Sequence, residues 1–307
     1  MDTAQKLISN IEQVIIGKRA VIELAVVSLL CKGHVLIEDV PGTGKTMLAR
    51  ALAKSVALDG KRLQCTPDLL PSDITGVPIY NQKTADFEFR PGPVFTNILL
   101  ADEINRATPR AQSALLECME EFRVSIDGKS YDLPSVFMVV ATQNPIDMAG
   151  THVLPEAQLD RFFVRLHVGY PSLAEEARIL NAQIKTHPIE HLQPVTTEAE
   201  ILEARAIVKT VNLNPDIAEY ITRITSTTRH HPDLRLGASP RGTLALARGA
   251  QGLALVRNQL YVTPDLVKAI AGPVLEHRLI VRPQAAAKGR TAQAILSEVL
   301  SELPPPV

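Results

Sequence analysis

The first half of the chain alternates short apolar runs with longer segments of helical periodicity. The apolar runs occupy residues 34–38, 61–65, 98–101, 135–141 and 163–168. Continuous apolar runs of this length are typical of strands that are buried on both faces. Because parallel strands are joined through helical crossovers, the pattern predicts an α/β fold with three layers and a parallel five-stranded sheet.

The pattern changes after Tyr170-Pro171, where segments rich in Ala, Leu and Glu follow one another with helical spacing. These segments occupy residues 173–186, 197–209, 215–229, 240–258 and 264–277. Successive helices without intervening strands indicate a helical bundle. We therefore expect one domain over residues 1–171 and a smaller all-α domain over residues 172–307, with a frayed proline-rich end.

Two segments fall outside this simple alternation. Residues 67–95 are rich in Pro and Gly, and the alternation around Phe87 and Phe89 predicts a hairpin that follows an inserted helix. Residues 123–133 contain Asp127-Gly128, which predicts a second hairpin. Long insertions in compact domains are often functional, and surface loops without a function are the alternative.

A phosphate-binding turn lies between the first apolar run and the helical pattern that follows it. This turn reads Gly42-Thr43-Gly44-Lys45-Thr46. Its backbone N–H groups can face an anion, the lysine can reach the outer phosphates, and the last threonine can ligate Mg²⁺. Asp39 stands where the general motif has glycine, but Asp tolerates turn conformations. The motif predicts a nucleoside triphosphate site, and a chance Gly-rich turn is the alternative.

Polar side chains directly follow two later runs. Asp102 and Glu103 end the third run, at the edge where parallel strands bind ligands. An Asp there can hold Mg²⁺ through its water shell, and a neighbouring Glu can polarise the attacking water. Asn144 follows the fourth run and could hydrogen-bond the γ-phosphate or this water. Taken singly, the acidic pair could start a solvated loop, and Asn144 could belong to an ordinary Asn-Pro turn.

Together these blocks resemble an AAA+ ATPase and, within that superfamily, a MoxR-type ATPase. The resemblance spans most of the chain in family order and rests on residues 38–46, 100–107, 141–145, 154–162 and 237–241. It implies a P-loop NTPase domain followed by a lid domain, with ATP or ADP and Mg²⁺ as ligands. Asp39 is compatible with MoxR-type loops. In the helix-2-insert branch, which this chain resembles, the inserted segments face the pore of a ring.

The resemblance also implies roles for individual residues. Glu103 corresponds to the base for water, Asn144 to the γ-phosphate sensor, and Asp102 with Thr46 to the Mg²⁺ side of the site. The residues implied to contact the nucleotide are Ile16, Gly17, Asp39, Val40, Pro41, Gly42, Thr43, Gly44, Lys45, Thr46 and Met47.

Two arginines are implied to act on the γ-phosphate. Arg161 corresponds to a finger that enters the site of the adjacent subunit, with Arg106 as an alternative for this role. Arg241 corresponds to the lid arginine that reports the γ-phosphate of its own chain to the small domain. Ser239 and Pro240 suit the N-cap and first turn of a helix, which would put Arg241 on that turn. A surface salt bridge is the ordinary alternative for each arginine.

The resemblance implies a homo-oligomeric ring of six subunits that remodels, matures or activates a protein client. A partner with a von Willebrand factor A domain is implied as well. A metal-chelatase-like motor subunit and a nucleotide-gated scaffold without turnover are alternatives, although a scaffold has no need of Glu103. A nucleic-acid motor would need basic or aromatic insertions, and residues 78–93 and 123–133 carry few cations.

Composition narrows the choice of partners and compartment. The formal net charge is −1, with 32 basic and 33 acidic residues, so the chain has no global electrostatic footprint for nucleic acid. The first residues lack the organisation of a signal peptide, and the apolar stretch from Val21 to Leu30 is too short for a membrane span. Cys31, Cys65 and Cys118 are scattered singly, which favours reduced thiols in a cytoplasmic protein without membrane insertion.

Overall fold

The computed structural model describes residues 2–39, 42–144, 151–184 and 186–306. Its strands are β1 (Val35–Glu38), β2 (Gly60–Gln64), β3 (Gly76–Asn81), β4 (Asp86–Pro91), β5 (Ile98–Asp102), β6 (Arg123–Ile126), β7 (Lys129–Asp132), β8 (Met138–Gln143), β9 (Val164–Leu166), β10 (Leu234–Leu236) and β11 (Ile280–Val281).

The helices follow the same chain order. They are α1 (Asp2–Glu12), α2 (Arg19–Leu30), α3 (Lys45–Ser55), α4 (Pro71–Thr75), α5 (Pro109–Glu121), α6 (Glu156–Leu159), α7 (Leu173–Gln183), α8 (Pro188–His191), α9 (Glu198–Val208), α10 (Pro215–His230), α11 (Pro240–Val256), α12 (Pro264–Leu275), α13 (Pro283–Ala286) and α14 (Ala292–Glu302). Short 3₁₀ segments lie at Ile104–Arg106 and Glu276–Arg278. Within the described ranges, none of the helices has both the length and the apolar character needed to cross a membrane.

The five predicted strands form one parallel sheet in the order β2-β5-β8-β1-β9. Successive side chains along these strands enter different buried layers, as strand geometry requires. The layer shared with α2 and α3 receives Val35, Ile37, Ile98, Leu100, Met138, Val140, Val164 and Leu166. The layer shared with α5 receives Leu36, Leu99, Ala101, Phe137, Val139 and Ala141. The three-layer α/β prediction is confirmed.

The helices after β9 form the expected lid, and they share a core with the sheet domain. One hydrophobic cluster extends from α1 and α2 through α9 and α11 to α14. A Cβ on Gly252 of α11 would lie 2.6 Å from Cys31 Sγ, so only glycine permits this close approach. The antiparallel pair β10–β11 and the helices α13 and α14 were not predicted. The boundary at residue 171 stays a prediction.

The two insertions form the expected hairpins, β3–β4 behind α4 and β6–β7. The second hairpin turns at Asp127 and Gly128, whose φ angles of 49° and 75° are those of a tight type I′ turn. The ring of Phe89 in β4 stacks on Tyr131 in β7 with 4.1 Å between centroids. This contact joins the two insertions to each other.

Candidate active site

A polar pocket lies beyond the carboxyl ends of β1, β5 and β8, where a doubly wound sheet binds its ligands. The residues that line it come from the P-loop, from β2 and from the ends of the central strands. They are Gly42, Lys45, Thr46, Arg62, Gln64, Asp102, Glu103, Thr142 and Asn144. The sheet therefore brings together most of the phosphate and metal residues that the sequence predicted.

The P-loop presents an open helix N-terminus to this pocket. Gly42 and Gly44 have φ angles of 85° and 87°, which are strained for any residue with a side chain. Gly44 is the N-cap of α3 and supplies no side-chain cap. A helix N-terminus without a side-chain cap is the kind of site that binds an external anion. A Cβ built on either glycine meets nothing within 4 Å, so the cradle is open toward the pocket.

Lys45 and Asp39 are held at the base of the same loop. Lys45 Nζ donates to the Asp39 carbonyl oxygen at 2.6 Å. Partial burial lowers the pKa of Lys45 from its usual value, against the opposing attraction of Asp39, Asp102 and Glu103. The Asp39 carboxylate accepts a hydrogen bond from the Gly169 backbone N–H at 2.5 Å. The Asp that replaces the motif glycine therefore ties the P-loop to the segment after β9.

Asp102 is buried at the end of β5, and both of its oxygens have partners. Thr142 Oγ1 donates to Oδ1 at 2.6 Å, and Arg62 Nη2 lies 2.7 Å from Oδ2. Arg62 belongs to the edge strand β2. In this strand Arg62 pairs with Leu100 of β5, and Gln64 pairs with Asp102. The Arg62 guanidinium therefore already balances the charge of Asp102, the carboxylate that the sequence predicted to hold Mg²⁺.

Glu103 adopts the left-handed region, with a φ angle of 56°. A residue other than glycine is strained there, and such strain concentrates at functional sites. Its N–H donates to Thr142 Oγ1 at 2.9 Å, which fixes the turn. Gln64 Nε2 donates to Glu103 Oε2 at 2.9 Å, and Arg106 Nη1 lies 3.2 Å from the same oxygen. These contacts aim the carboxylate into the pocket edge.

The donor set fits a nucleotide with Mg²⁺. The Thr46 hydroxyl and the Asp102 carboxylate are hard oxygen ligands, which Mg²⁺ prefers, and Mg²⁺ normally completes its shell with water and phosphate oxygens. Asn144 lies just past β8, and its backbone carbonyl accepts from Asn105 Nδ2 at 3.4 Å. Lys45, Asn144 and the open helix end supply positive or donor groups for phosphate.

Several residues that the sequence assigned to the nucleotide are not among those that line the pocket. Two of them, Val40 and Pro41, are outside the described residues. Thr43 and Met47 are half-buried in the loop and the first turn of α3. Ile16 and Gly17 do not line the phosphate pocket. They lie beside the lid junction, where Lys18 Nζ donates to the Tyr170 carbonyl at 2.8 Å. An adenine contact there stays a prediction.

Arg161 and Arg241 lie at the opposite edge of the sheet. Arg161 precedes β9, and both arginines line a cavity with Lys32, Gly33 and His34, which precede β1. These are the amino ends of the parallel strands, whereas the P-loop follows their carboxyl ends. The strand β1 has four residues and so separates the two edges by about 13 Å. The structure therefore does not bring Arg241 to the phosphate pocket of its own chain, and its contact with a γ-phosphate stays a prediction.

One carboxylate holds both arginines. Arg161 Nε lies 3.1 Å from Glu120 Oε2, and Arg241 Nη2 lies 2.5 Å from Glu120 Oε1. Glu120 stands near the carboxyl end of α5, and α5 begins just after Glu103 and the 3₁₀ segment. At 1.5 Å per residue, α5 puts about 17 Å between Pro109 and Glu120. Arg106, in contrast, contacts Glu103 of its own chain.

The lid is fixed beside these arginines by Asp160. Arg278 is buried and donates from Nε to Asp160 Oδ1 at 2.8 Å, and the Ser239 hydroxyl donates to Asp160 Oδ2 at 3.1 Å. Ser239 caps α11 by accepting the Gly242 N–H at 3.2 Å, as its sequence position predicted. Since Arg161 follows Asp160 and Arg241 is in the first turn of α11, the clamp fixes both backbones.

Four functional candidates escaped the sequence reasoning: Arg62, Gln64, Thr142 and Glu120. Arg62 and Gln64 lie on an exposed edge strand, where polar alternation looks like ordinary solvated surface. Thr142 directly follows the fourth apolar run and precedes Asn144 by two residues. This proximity to Asn144 is the one signal in the sequence that could have marked it. Glu120 belongs to a helix whose end is rich in Glu, so nothing local distinguishes it from its neighbours.

Comparisons with known proteins agree with the fold. The family described as "ATPase family associated with various cellular activities (AAA)" matches residues 34–164, and the AAA lid domain matches residues 226–299. Protein YeaC of Bacillus subtilis is 51% identical over 98% of this chain and 94% of its own length. Chaperone MoxR1 of Mycobacterium tuberculosis is 39% identical over 97% of this chain and 81% of its own. A Cytophaga hutchinsonii crystal structure assigned as an ATPase superposes with a TM-score of 0.92 at 35% identity, covering 100% of this chain and 96% of that chain.

Proposed function

Since this chain belongs to the MoxR-type AAA+ ATPases, we propose that it hydrolyses ATP in a pocket shared by two adjacent copies. Lys45 and the N-terminus of α3 would hold the phosphates, and Thr46 with Asp102 would hold Mg²⁺. Mg²⁺, when bound, neutralises charge on the outer phosphates. Glu103 takes the proton of the attacking water, and Asn144 hydrogen-bonds the γ-phosphate.

The separation of the arginines from their own pocket carries this proposal. Arg161 and Arg241 share Glu120 at the amino edge of the sheet, and the P-loop follows the carboxyl edge. A finger arginine must touch the transferred phosphoryl group to stabilise its charge. Both arginines can therefore act only on the nucleotide of a neighbouring copy, and hydrolysis requires assembly. We propose a closed homo-oligomeric ring of six subunits, from the family resemblance.

The work of the ring is proposed to be the remodelling or maturation of a protein client. The relative MoxR1 is named a chaperone, and the hairpin β3–β4 exposes Val77, Ile79, Tyr80 and Phe87. Exposed apolar patches of this kind mark interaction sites. A partner with a von Willebrand factor A domain follows from resemblance alone. The described thiols are free and buried, which supports a reducing cytoplasmic location.

The experiment measures ATP turnover with Mg²⁺ for the wild type, three site variants and one control variant. Lys45→Ala should lose nucleotide affinity, with Lys54→Ala as the control on the same helix. Glu103→Gln should bind ATP and stall. Mixing Arg161→Ala with Glu103→Gln subunits should restore turnover at the interface type that has both groups intact. A specific rate that stays constant at every dilution, in a protein that is monomeric throughout, would overturn the proposal.

A further inference from the structure

We propose that Glu120 is a positioning residue that holds Arg161 and Arg241 side by side for delivery into the site of the adjacent copy. This role rests on the proposed function, since it matters only if the arginines act between copies. Each carboxylate oxygen takes one guanidinium, at 3.1 Å for Arg161 and 2.5 Å for Arg241.

The charges explain why such a residue is needed. Two guanidinium groups that converge on one small volume repel each other, and they are attracted to a carboxylate placed between them. One carboxylate leaves a net positive charge on the trio, so the unit still attracts a phosphate. Arg161 forms its ion pair with Glu120 through Nε, so this pair does not depend on either terminal nitrogen. Charge-assisted, bidentate contacts to phosphate use those nitrogens.

The backbone of both arginines is fixed independently of Glu120. Arg278 and Ser239 hold the Asp160 carboxylate, and Arg278 Nη2 donates to the Phe162 carbonyl at 2.6 Å. This clamp joins the segment that contains Arg161 to the start of α11. What it leaves undetermined is the direction of two long side chains, each with several rotatable bonds. Glu120 supplies that missing constraint.

A loss of Glu120 should therefore change catalysis more than folding. The Glu120 side chain is 35% exposed, and exposed ion pairs contribute little to stability. Misplacement of a catalytic group by about 1 Å can cost on the order of a hundredfold in rate. We expect Glu120→Ala to lower kcat about tenfold to a hundredfold, while the affinity for the nucleotide in the same chain's pocket stays as in the wild type.

The matched control is Glu121→Ala. Glu121 is the next residue of α5 and forms an exposed ion pair of its own, 3.0 Å from Arg123 Nη2. Its removal should leave kcat unchanged. Glu120→Gln separates shape from charge, because the amide keeps one acceptor oxygen and loses the charge. The kcat of Glu120→Gln should lie between those of Glu120→Ala and the wild type.

The decisive measurement mixes Glu120→Ala with Glu103→Gln subunits and follows ATP turnover at saturating ATP, with fluorescent N-methylanthraniloyl-ATP binding measured in parallel. A Glu120→Ala pocket that faces a Glu103→Gln neighbour receives well-placed arginines, so the mixture should exceed both parents. A Glu120→Ala rate equal to that of Glu121→Ala overturns the role. A low Glu120→Ala rate that no mixture raises also overturns the role, because it would mean that the substitution damages the nucleotide pocket of the variant subunit itself. If Arg161→Ala with Glu103→Gln also shows no recovery, the shared pocket itself fails.

Discussion

Thr142 donates its hydroxyl hydrogen to Asp102 Oδ1 at 2.6 Å, and the same hydroxyl oxygen accepts the Glu103 N–H at 2.9 Å. One buried side chain thus holds the proposed metal acid and the turn that carries the proposed base. The left-handed backbone of Glu103 is strained, so it depends on such external contacts.

Thr142→Val should disturb both acids at once. The substitution keeps the shape of the side chain but leaves the part-buried Glu103 N–H without its acceptor, which costs about 1–3 kcal/mol in the free energy of unfolding. We expect turnover to fall at least tenfold, because the Glu103 turn loses its anchor. Urea unfolding and steady-state turnover measure the two effects. Thr142→Ser keeps the hydroxyl, so its stability and turnover should match those of the wild type. Equal stability and turnover for Thr142→Val and Thr142→Ser would contradict this role.

Asp39→Gly restores the general motif residue and tests why this chain departs from it. The Asp39 carboxylate accepts the Gly169 N–H, so glycine leaves that part-buried donor unpaired and also adds freedom to the unfolded chain. We expect the free energy of unfolding to fall by about 1–3 kcal/mol, measured by denaturant titration. Asp39→Asn keeps an acceptor oxygen and should recover most of this loss. A glycine variant at least as stable as the wild type would show that the contact contributes nothing.

The sequence predicted the parts of the fold that depend on local pattern. Apolar runs separated by segments of helical periodicity predicted all five strands of the sheet. Asp127-Gly128 predicted a hairpin turn, which requires positive φ angles. The pocket was predictable for the same reason. Lys45 and Asn144 come after strands and Asp102 ends one, and parallel strands bring their carboxyl ends to one edge.

The relations that escaped prediction join residues far apart in the chain. Glu120 meets Arg241 from α11, and α11 packs on α2 through Gly252. Neither contact has a local pattern, since a Glu at the end of a polar helix and a Gly inside an apolar one have ordinary explanations. The side of the sheet on which Arg241 lies is decided by how the lid packs, and helical periodicity does not specify that packing.

Phe89 and Tyr131 should couple the two inserted hairpins. Stacked aromatic pairs contribute about 0.5–1.5 kcal/mol beyond the area they bury, and this pair is the cross-hairpin contact described above. We expect Phe89→Ala to lower hydrogen-exchange protection in β6–β7, although the substitution lies in β4. A double-mutant cycle with Tyr131→Ala should be non-additive. Phe87→Ala is the control, because Phe87 contacts Tyr80 within its own hairpin. Additive losses would mean that the hairpins move independently.

His34 provides a pH-dependent contribution to stability. It is buried before β1, where its Nδ1 accepts the Val139 N–H at 2.9 Å and its Nε2 lies 2.9 Å from the Met119 carbonyl. This pattern fits a neutral ring that donates from Nε2. Burial lowers the pKa of His34 from 6.5 to about 4, with a smaller opposing effect from the Met119 hydrogen bond.

The lowered pKa of His34 fixes the sign of the pH effect. Between the folded pKa of about 4 and the unfolded pKa of 6.5, the unfolded chain binds a proton that the folded chain does not, so stability falls as the pH falls through this window. The loss from His34 alone should reach about 2 kcal/mol between pH 7.5 and pH 5. We expect His34→Gln, measured by urea unfolding at both values, to have a shallower pH dependence by this amount. Substitution of the exposed His230 by Gln should leave the slope unchanged, and an identical slope in the His34 variant would exclude His34 as the titrating group.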